Sequence, residues 1–149
     1  MNQMKTTIFF DMDGTIADLY GVQGWLPYLI AEDTTPYAIA KPLLRLASLA
    51  RKLNALQKQG YNLGIISWTS KSGSKEYNAR VAEIKMKWLA QHLPSVHWDE
   101  INIVPYGTPK QMFCHTSNDI LFDDEERNRT AWTGIPHDVQ NIMEILREI

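Results

Sequence analysis

The chain has 149 residues, with 15 Lys and Arg against 17 Asp and Glu, and is 44% hydrophobic and 21% charged. That length predicts a single domain over 1–149 with a substantial core. The net charge of −2 excludes a broad nucleic-acid-binding surface, and no run approaches a membrane span. A lone cysteine, Cys114, excludes an intrachain disulfide framework, so the expectation is a cytoplasmic protein with no membrane partner.

Thr6 to Phe10 is a short β-branched and aromatic run that predicts a buried first strand. Asp11-Met12-Asp13-Gly14-Thr15 follows directly. Two carboxylates two residues apart thus stand where a strand ends, and Gly14 lets the chain turn. Carboxyl ends of strands in open α/β sheets are where ligand chemistry gathers. The pair suits a hard cation bound through oxygen, with one carboxylate free to act as nucleophile. An Asp-rich turn with no function is the plainer alternative. An EF-hand loop is excluded: counted from Asp11, its glycine position holds Ile16 and its final acidic position holds Val22.

Asp18 to Ala31 places Leu19, Val22, Trp25, Leu26, Leu29 and Ile30 at helical spacing, with Gly21 and Gly24 weakening its first half. Core packing is the expected role of Trp25 and Tyr28. Glu32 to Pro36 breaks this helix. Lys41 to Gln59 predicts a strongly amphipathic helix, with Pro42 in its first turn and Gly60 as its stop. Tyr61 to Ile66 predicts the second strand, closed by the polar run Ser67-Trp68-Thr69-Ser70.

Glu76 to His92 predicts another helix, with Val81, Ile84, Trp88 and Leu89 inward. Ile101 to Val104 and Asp119 to Phe122 predict the third and fourth strands, the latter ending in Asp123-Asp124. Asp138 to Glu148 closes the chain as a helix with Asp138 as N-cap. Helices alternating with short apolar strands imply an α/β three-layer sandwich around a mainly parallel, Rossmann-like sheet. His92, His97, His115 and His137 have no metal-ligand spacing.

Four features then fall in order after successive strands: Asp11 and Asp13, then Ser67, then Lys110, then Asp123 and Asp124. Phosphoryl transfer needs such a set, with a nucleophile, a proton donor, a hydroxyl and a cation. Taken together, these motifs resemble the haloacid dehalogenase (HAD) superfamily of phosphohydrolases. Asp11 to Thr15 is similar to its first motif, Ile65-Ile66-Ser67 to its second, Lys110 to its third, and Leu121-Phe122-Asp123-Asp124 to its fourth.

The resemblance implies roles. Asp11 would form an aspartyl-phosphate. Asp13 would protonate the leaving oxygen and then activate water. Mg²⁺ would be held by Asp11, the Asp13 backbone carbonyl, and Asp123 or Asp124. Ser67, Trp68 and Lys110 would bind the phosphate, with Lys71 as an alternative to Lys110. Asn128 would support the metal through a water.

Superfamily members select substrates with an inserted cap. Here only about 18–36 is left for a small flap, so the cap is minimal. An open site favours a phosphorylated macromolecule end, unless a second subunit, as in a homodimer, closes it over a phosphorylated small molecule. Asp11 to Asp18 and the Leu-Phe-Asp-Asp ending look similar to the deoxyribonucleotidase-like branch, which points to nucleotides, and Trp68 is expected to face substrate. Two other readings stand beside this one: a phosphate-ligand or partner-binding module without turnover, and a dehalogenase. Asp13 counts against the latter, because that chemistry has no alkoxide to protonate.

Overall fold

The computed structural model describes residues 4–149. In chain order the elements are β1 (Thr7–Phe10), β2 (Ala17–Asp18), α1 (Trp25–Ile30), α2 (Thr35–Ile39), β3 (Lys41–Pro42), α3 (Leu46–Lys58) and β4 (Asn62–Trp68). There follow α4 (Lys75–His92), β5 (Glu100–Val104), a 3-10 turn at Lys110–Phe113, β6 (Ile120–Phe122), α5 (Glu126–Ala131), β7 (Ile135–His137) and α6 (Ile142–Arg147).

The main sheet has five strands in the order β5-β4-β1-β6-β7, and every neighbouring pair is parallel. β1 lies at its centre with all four residues buried. Alternation along β1 builds the two sides. Ile8 and Phe10 join Leu49, Leu53, Trp88, Leu89, Ile142 and Leu146 from α3, α4 and α6 on one face. Phe9 points the other way, to Leu121, Trp132 and Phe113. This is the expected three-layer α/β architecture. Each fully buried Phe or Leu contributes roughly 1.5–3 kcal/mol of hydrophobic stabilisation.

Register positions the site. Phe10 pairs with Phe122, so the next residues, Asp11 and Asp123, leave adjacent strands side by side. Phe10 also pairs with Ile65, but β4 runs on beyond β1 because it continues to pair with β5 as far as Trp68 and Val104. The second strand therefore ends two residues later than its apolar run predicts.

Other expectations are corrected as well. The helix predicted over Asp18 to Ala31 is a two-residue strand, a turn and the short α1, which buries no residue. Trp25 is half-buried rather than core, and Tyr28 is exposed. The predicted break at 32–36 itself contains the start of α2.

The helix expected from Lys41 begins at Leu46 instead. Lys41 and Pro42 form β3, antiparallel to Ala17 and Asp18 of β2, and the Leu43 N–H donates to the Ile16 carbonyl. That tertiary partner outweighs a helical pattern which Pro42 supports weakly. The last helix is capped at Asn141, not Asp138. Asp138 accepts from the Val139 N–H and pairs with Arg129. β7 was not expected, since three residues centred on a proline show no period.

β2, α1, α2 and β3 together make a small excursion from the main sheet, running from Ala17 to Pro42 and called the flap below. It packs on α4 through Leu19, Tyr37, Tyr77 and Val81. The Glu32 carboxylate fastens it by accepting from the Ser74 N–H at 2.7 Å and the Ser74 hydroxyl at 2.8 Å. The Tyr77 hydroxyl donates to the Asp33 carbonyl at 2.9 Å. No helix among the described residues is long and apolar enough to cross a membrane.

Candidate active site

The turn after β1 is wound on one carbonyl. Met12 accepts from the N–H groups of Thr15, Ile16 and Ala17, each at 3.0 Å. Gly14 sits at φ +82°, and a Cβ there would lie 2.3 Å from Asp124 Oδ2. Glycine is thus required twice, for the left-handed backbone and for room beside that carboxylate.

Asp11 is 7% exposed and held at both oxygens. The Thr15 hydroxyl donates to Oδ2 at 3.0 Å, and Lys110 Nζ donates to Oδ1 at 2.9 Å. Lys110, itself buried, also donates to Asp123 Oδ2 at 2.7 Å. Burial works against its charge, but Asp11 and Asp123 together outweigh that and raise its pKa. Asp123 accepts further bonds from the Glu125 N–H at 2.9 Å and directly from Asn128 Nδ2 at 3.2 Å.

Carboxylate oxygens of Asp11, Asp123 and Asp124 lie within 4.8 Å of one another. Burial, then the Asp11 charge, pushes the Asp123 carboxyl up to about 6 and that of Asp124 up to about 8. Three hard oxygen donors carrying more negative charge than Lys110 balances are a fitting set for Mg²⁺. Binding a dication there would relieve the repulsion that holds those two values high.

Asp13 turns its carboxylate away from this cluster. Its Oδ2 accepts from Lys85 Nζ at 2.7 Å. Burial raises its pKa, and Lys85 opposes that shift without cancelling it. Lys85 was not anticipated. The signal lies in its spacing, four residues after Val81 and three before Trp88, which sets a lysine on the inward stripe of α4.

Ser67 is fully buried, and its Oγ accepts from Lys85 at 2.7 Å. It lies behind the cavity wall, because β4 runs on past it. The aliphatic hydroxyls that line the cavity after β4 belong to Thr69, Ser70 and Ser72. The Ser70 hydroxyl donates to Asn78 Oδ1 at 2.7 Å. Trp68 is on the wall, but its indole N–H is committed to the Thr108 carbonyl at 2.9 Å, leaving its ring to face the cavity. The Arg127 guanidinium lies 4.6 Å from the centre of that ring. Lys71, the alternative to Lys110, stands at the rim, 5.9 Å from the Tyr106 ring centre.

The cavity has a volume of about 480 Å³. Asp11, Asp13, Lys110, Asp123 and Asp124 make its polar end. Tyr20, Trp25, Leu26 and Ile30 of the flap also line it, as does Trp68, whose ring centre lies 5.2 Å from Lys110 Nζ. Tyr20 packs edge-on against Trp25 at 5.1 Å.

A chain of the Pnkp1/Rnl/Hen1 complex is similar over 93% of this chain, with a TM-score of 0.57 and 17% identity. This chain spans 47% of that one. A D,D-heptose bisphosphate phosphatase from B. bronchiseptica, complexed with magnesium and phosphate, is similar over 88% of this chain and 78% of its own, with a TM-score of 0.51 and 13% identity. The fold shared with these structures is a Rossmann-like α/β sandwich around a parallel sheet. No family model and no curated protein sequence matches the chain.

Proposed function

We propose that the protein is a Mg²⁺-dependent phosphomonoester hydrolase working through Asp11. One observation carries this reading: a buried carboxylate held by a buried lysine, beside two more acids and opposite a separate acid, all at the wall of one cavity.

In the first step an Asp11 oxygen attacks phosphorus and the bond from phosphorus to the leaving oxygen breaks. Asp13, the separate acid at the cavity wall, gives a proton to the leaving oxygen. The aspartyl-phosphate is then attacked by water, Asp13 takes the water's proton, and phosphate departs as Asp11 is restored. Asp11, Asp123, Asp124 and the Asp13 backbone carbonyl would hold Mg²⁺, which supplies positive charge against the phosphoryl oxygens. Lys110 offsets repulsion between Asp11 and the anionic substrate. Thr69 is the better placed hydroxyl for a phosphoryl oxygen, since Ser67 is turned to Lys85 and Ser70 to Asn78.

The flap makes the site a pocket, and a cavity near 480 Å³ suits a small molecule. Aromatic and aliphatic side chains lining the same cavity favour a phosphomonoester with a flat, weakly polar group, such as a nucleoside monophosphate, over a long macromolecule end.

The test is release of phosphate from an aryl phosphate and from nucleoside monophosphates. Wild type should act only with Mg²⁺, and Asp11→Asn should lose more than about 100-fold. Full activity in Asp11→Asn would overturn the reading. Binding of phosphate ligands by wild type with no product would support a non-catalytic module instead.

A further inference from the structure

Lys85 is the second buried cation of this region, and the reaction above gives it no role. Its side chain is 2% exposed. Nζ donates to Asp13 Oδ2, Ser67 Oγ and the Trp68 carbonyl, each at 2.7 Å. An ammonium has three N–H donors and no acceptor, so these three bonds use it completely. The Tyr37 ring, 5.2 Å away, closes the remaining side.

Removing an ammonium from water is costly unless it is paired and fully hydrogen-bonded. Here all partners come from the end of β4 and the turn after β1. Lys85 is also the only side chain among the described residues that hydrogen-bonds to the Asp13 carboxylate. Asp11, by contrast, is held at both oxygens by other residues. The two acids therefore have separate supports, and only one of them depends on α4.

We propose that Lys85 is the positioning residue for proton transfer: by holding Asp13 Oδ2 it fixes the carboxyl so that its other oxygen faces the leaving group. This rests on the reading of Asp11 and Asp13 given above. Ser67 takes a corresponding part, as an acceptor that seats the lysine rather than as a ligand for phosphate.

Leaving-group dependence separates this role from a general structural one. Departure of p-nitrophenolate needs little protonation, whereas an alkyl alkoxide needs a well-placed acid. The experiment compares the first turnover of p-nitrophenyl phosphate and of an alkyl phosphate by wild type and Lys85→Met, with Mg²⁺ present. The variant should lose about 100-fold or more in its first turnover of the alkyl substrate. With the aryl substrate it should release a burst of one nitrophenol per enzyme at near wild-type rate. It should then slow, because Asp13 must also accept a proton when water attacks. For the aryl substrate kcat and KM should fall together, leaving kcat/KM near wild type, whereas for the alkyl substrate kcat/KM should fall with the first turnover.

Equal losses on both substrates, or no loss on either, would overturn the proposal while leaving Asp11 chemistry intact. Inactive wild type, or active Asp11→Asn, would instead remove the reading on which it rests. Lys85→Gln keeps a donor for the Trp68 carbonyl and carries the same comparison where Lys85→Met does not fold. Failure of both variants to fold would assign Lys85 to the scaffold and overturn the proposal.

Discussion

The two ends of β6 carry the same residue type in opposite circumstances. At its start, Asp119 is fully buried and meets only donors. Its carboxylate accepts from the N–H groups of Thr7 at 2.9 Å, His115 at 2.7 Å and Thr116 at 3.0 Å, and from the Thr116 hydroxyl at 2.9 Å. At its end, Asp123 and Asp124 meet Asp11, and among the described residues Lys110 is the one cation hydrogen-bonded to their carboxylates. Burial is alike at Asp119 and Asp123, so burial is not what marks a site. Donors at one end make a carboxylate part of the scaffold. Crowded carboxylates at the other store repulsion that a cation would release.

The comparison breaks most visibly at the scaffold end. Asp119→Ala should cost about 3 kcal/mol or more in chemical denaturation, because four donors around it lose their acceptor. Folded molecules of the variant should keep a normal KM for any substrate that wild type turns over. Unchanged stability would mean that those bonds are dispensable and that the contrast fails.

Asp124→Asn should behave in the opposite way. Activity with Mg²⁺ should fall by about 100-fold, while stability without Mg²⁺ should hold or rise by up to about 1 kcal/mol as repulsion is relieved. A large loss of stability in metal-free protein would count against stored repulsion at this end.

The smallest effect is a linkage one. Asp123 and Asp124 titrate near 6 and 8 in the folded chain, above their ordinary value of 3.8. Between those limits the folded state binds protons that the unfolded state has released, so metal-free stability falls as pH rises from about 4 to about 8. Mg²⁺ competes with those protons and binds more strongly as they leave. Thermal unfolding should therefore show a larger stabilisation by Mg²⁺ at pH 8 than at pH 6, by a few degrees. An equal or reversed shift would place the metal elsewhere.

Much of this was legible in order along the chain. β1 and the Asp11 to Thr15 turn were readable because a short apolar run and a glycine act locally. Asp123 and Asp124 were readable because they end an apolar strand. The flap was less so. Its residues have helical spacing, yet α1 buries none of them, because the apolar side of the segment faces the cavity instead of a core. The resemblance of Ile65-Ile66-Ser67 to the second motif puts Ser67 at the phosphate, yet in the structure its hydroxyl is turned to Lys85. β4 goes on to Trp68 through pairing with β5, and so the hydroxyls that line the cavity after it are those of Thr69, Ser70 and Ser72.

The sequence by itself determined which chemistry is available: paired acids after a strand, a double acid after another, and alternating elements that fold into a parallel sheet. Those are short-range properties, written in hydrophobic period and turn chemistry. Only the tertiary structure decided which lysine meets which acid. Lys110 reaches Asp11 across 99 positions of sequence, and Lys85 reaches Asp13 across 72. Such pairings are set by strand register and helix docking, where burying an ammonium is tolerable only if its acceptors are already in place.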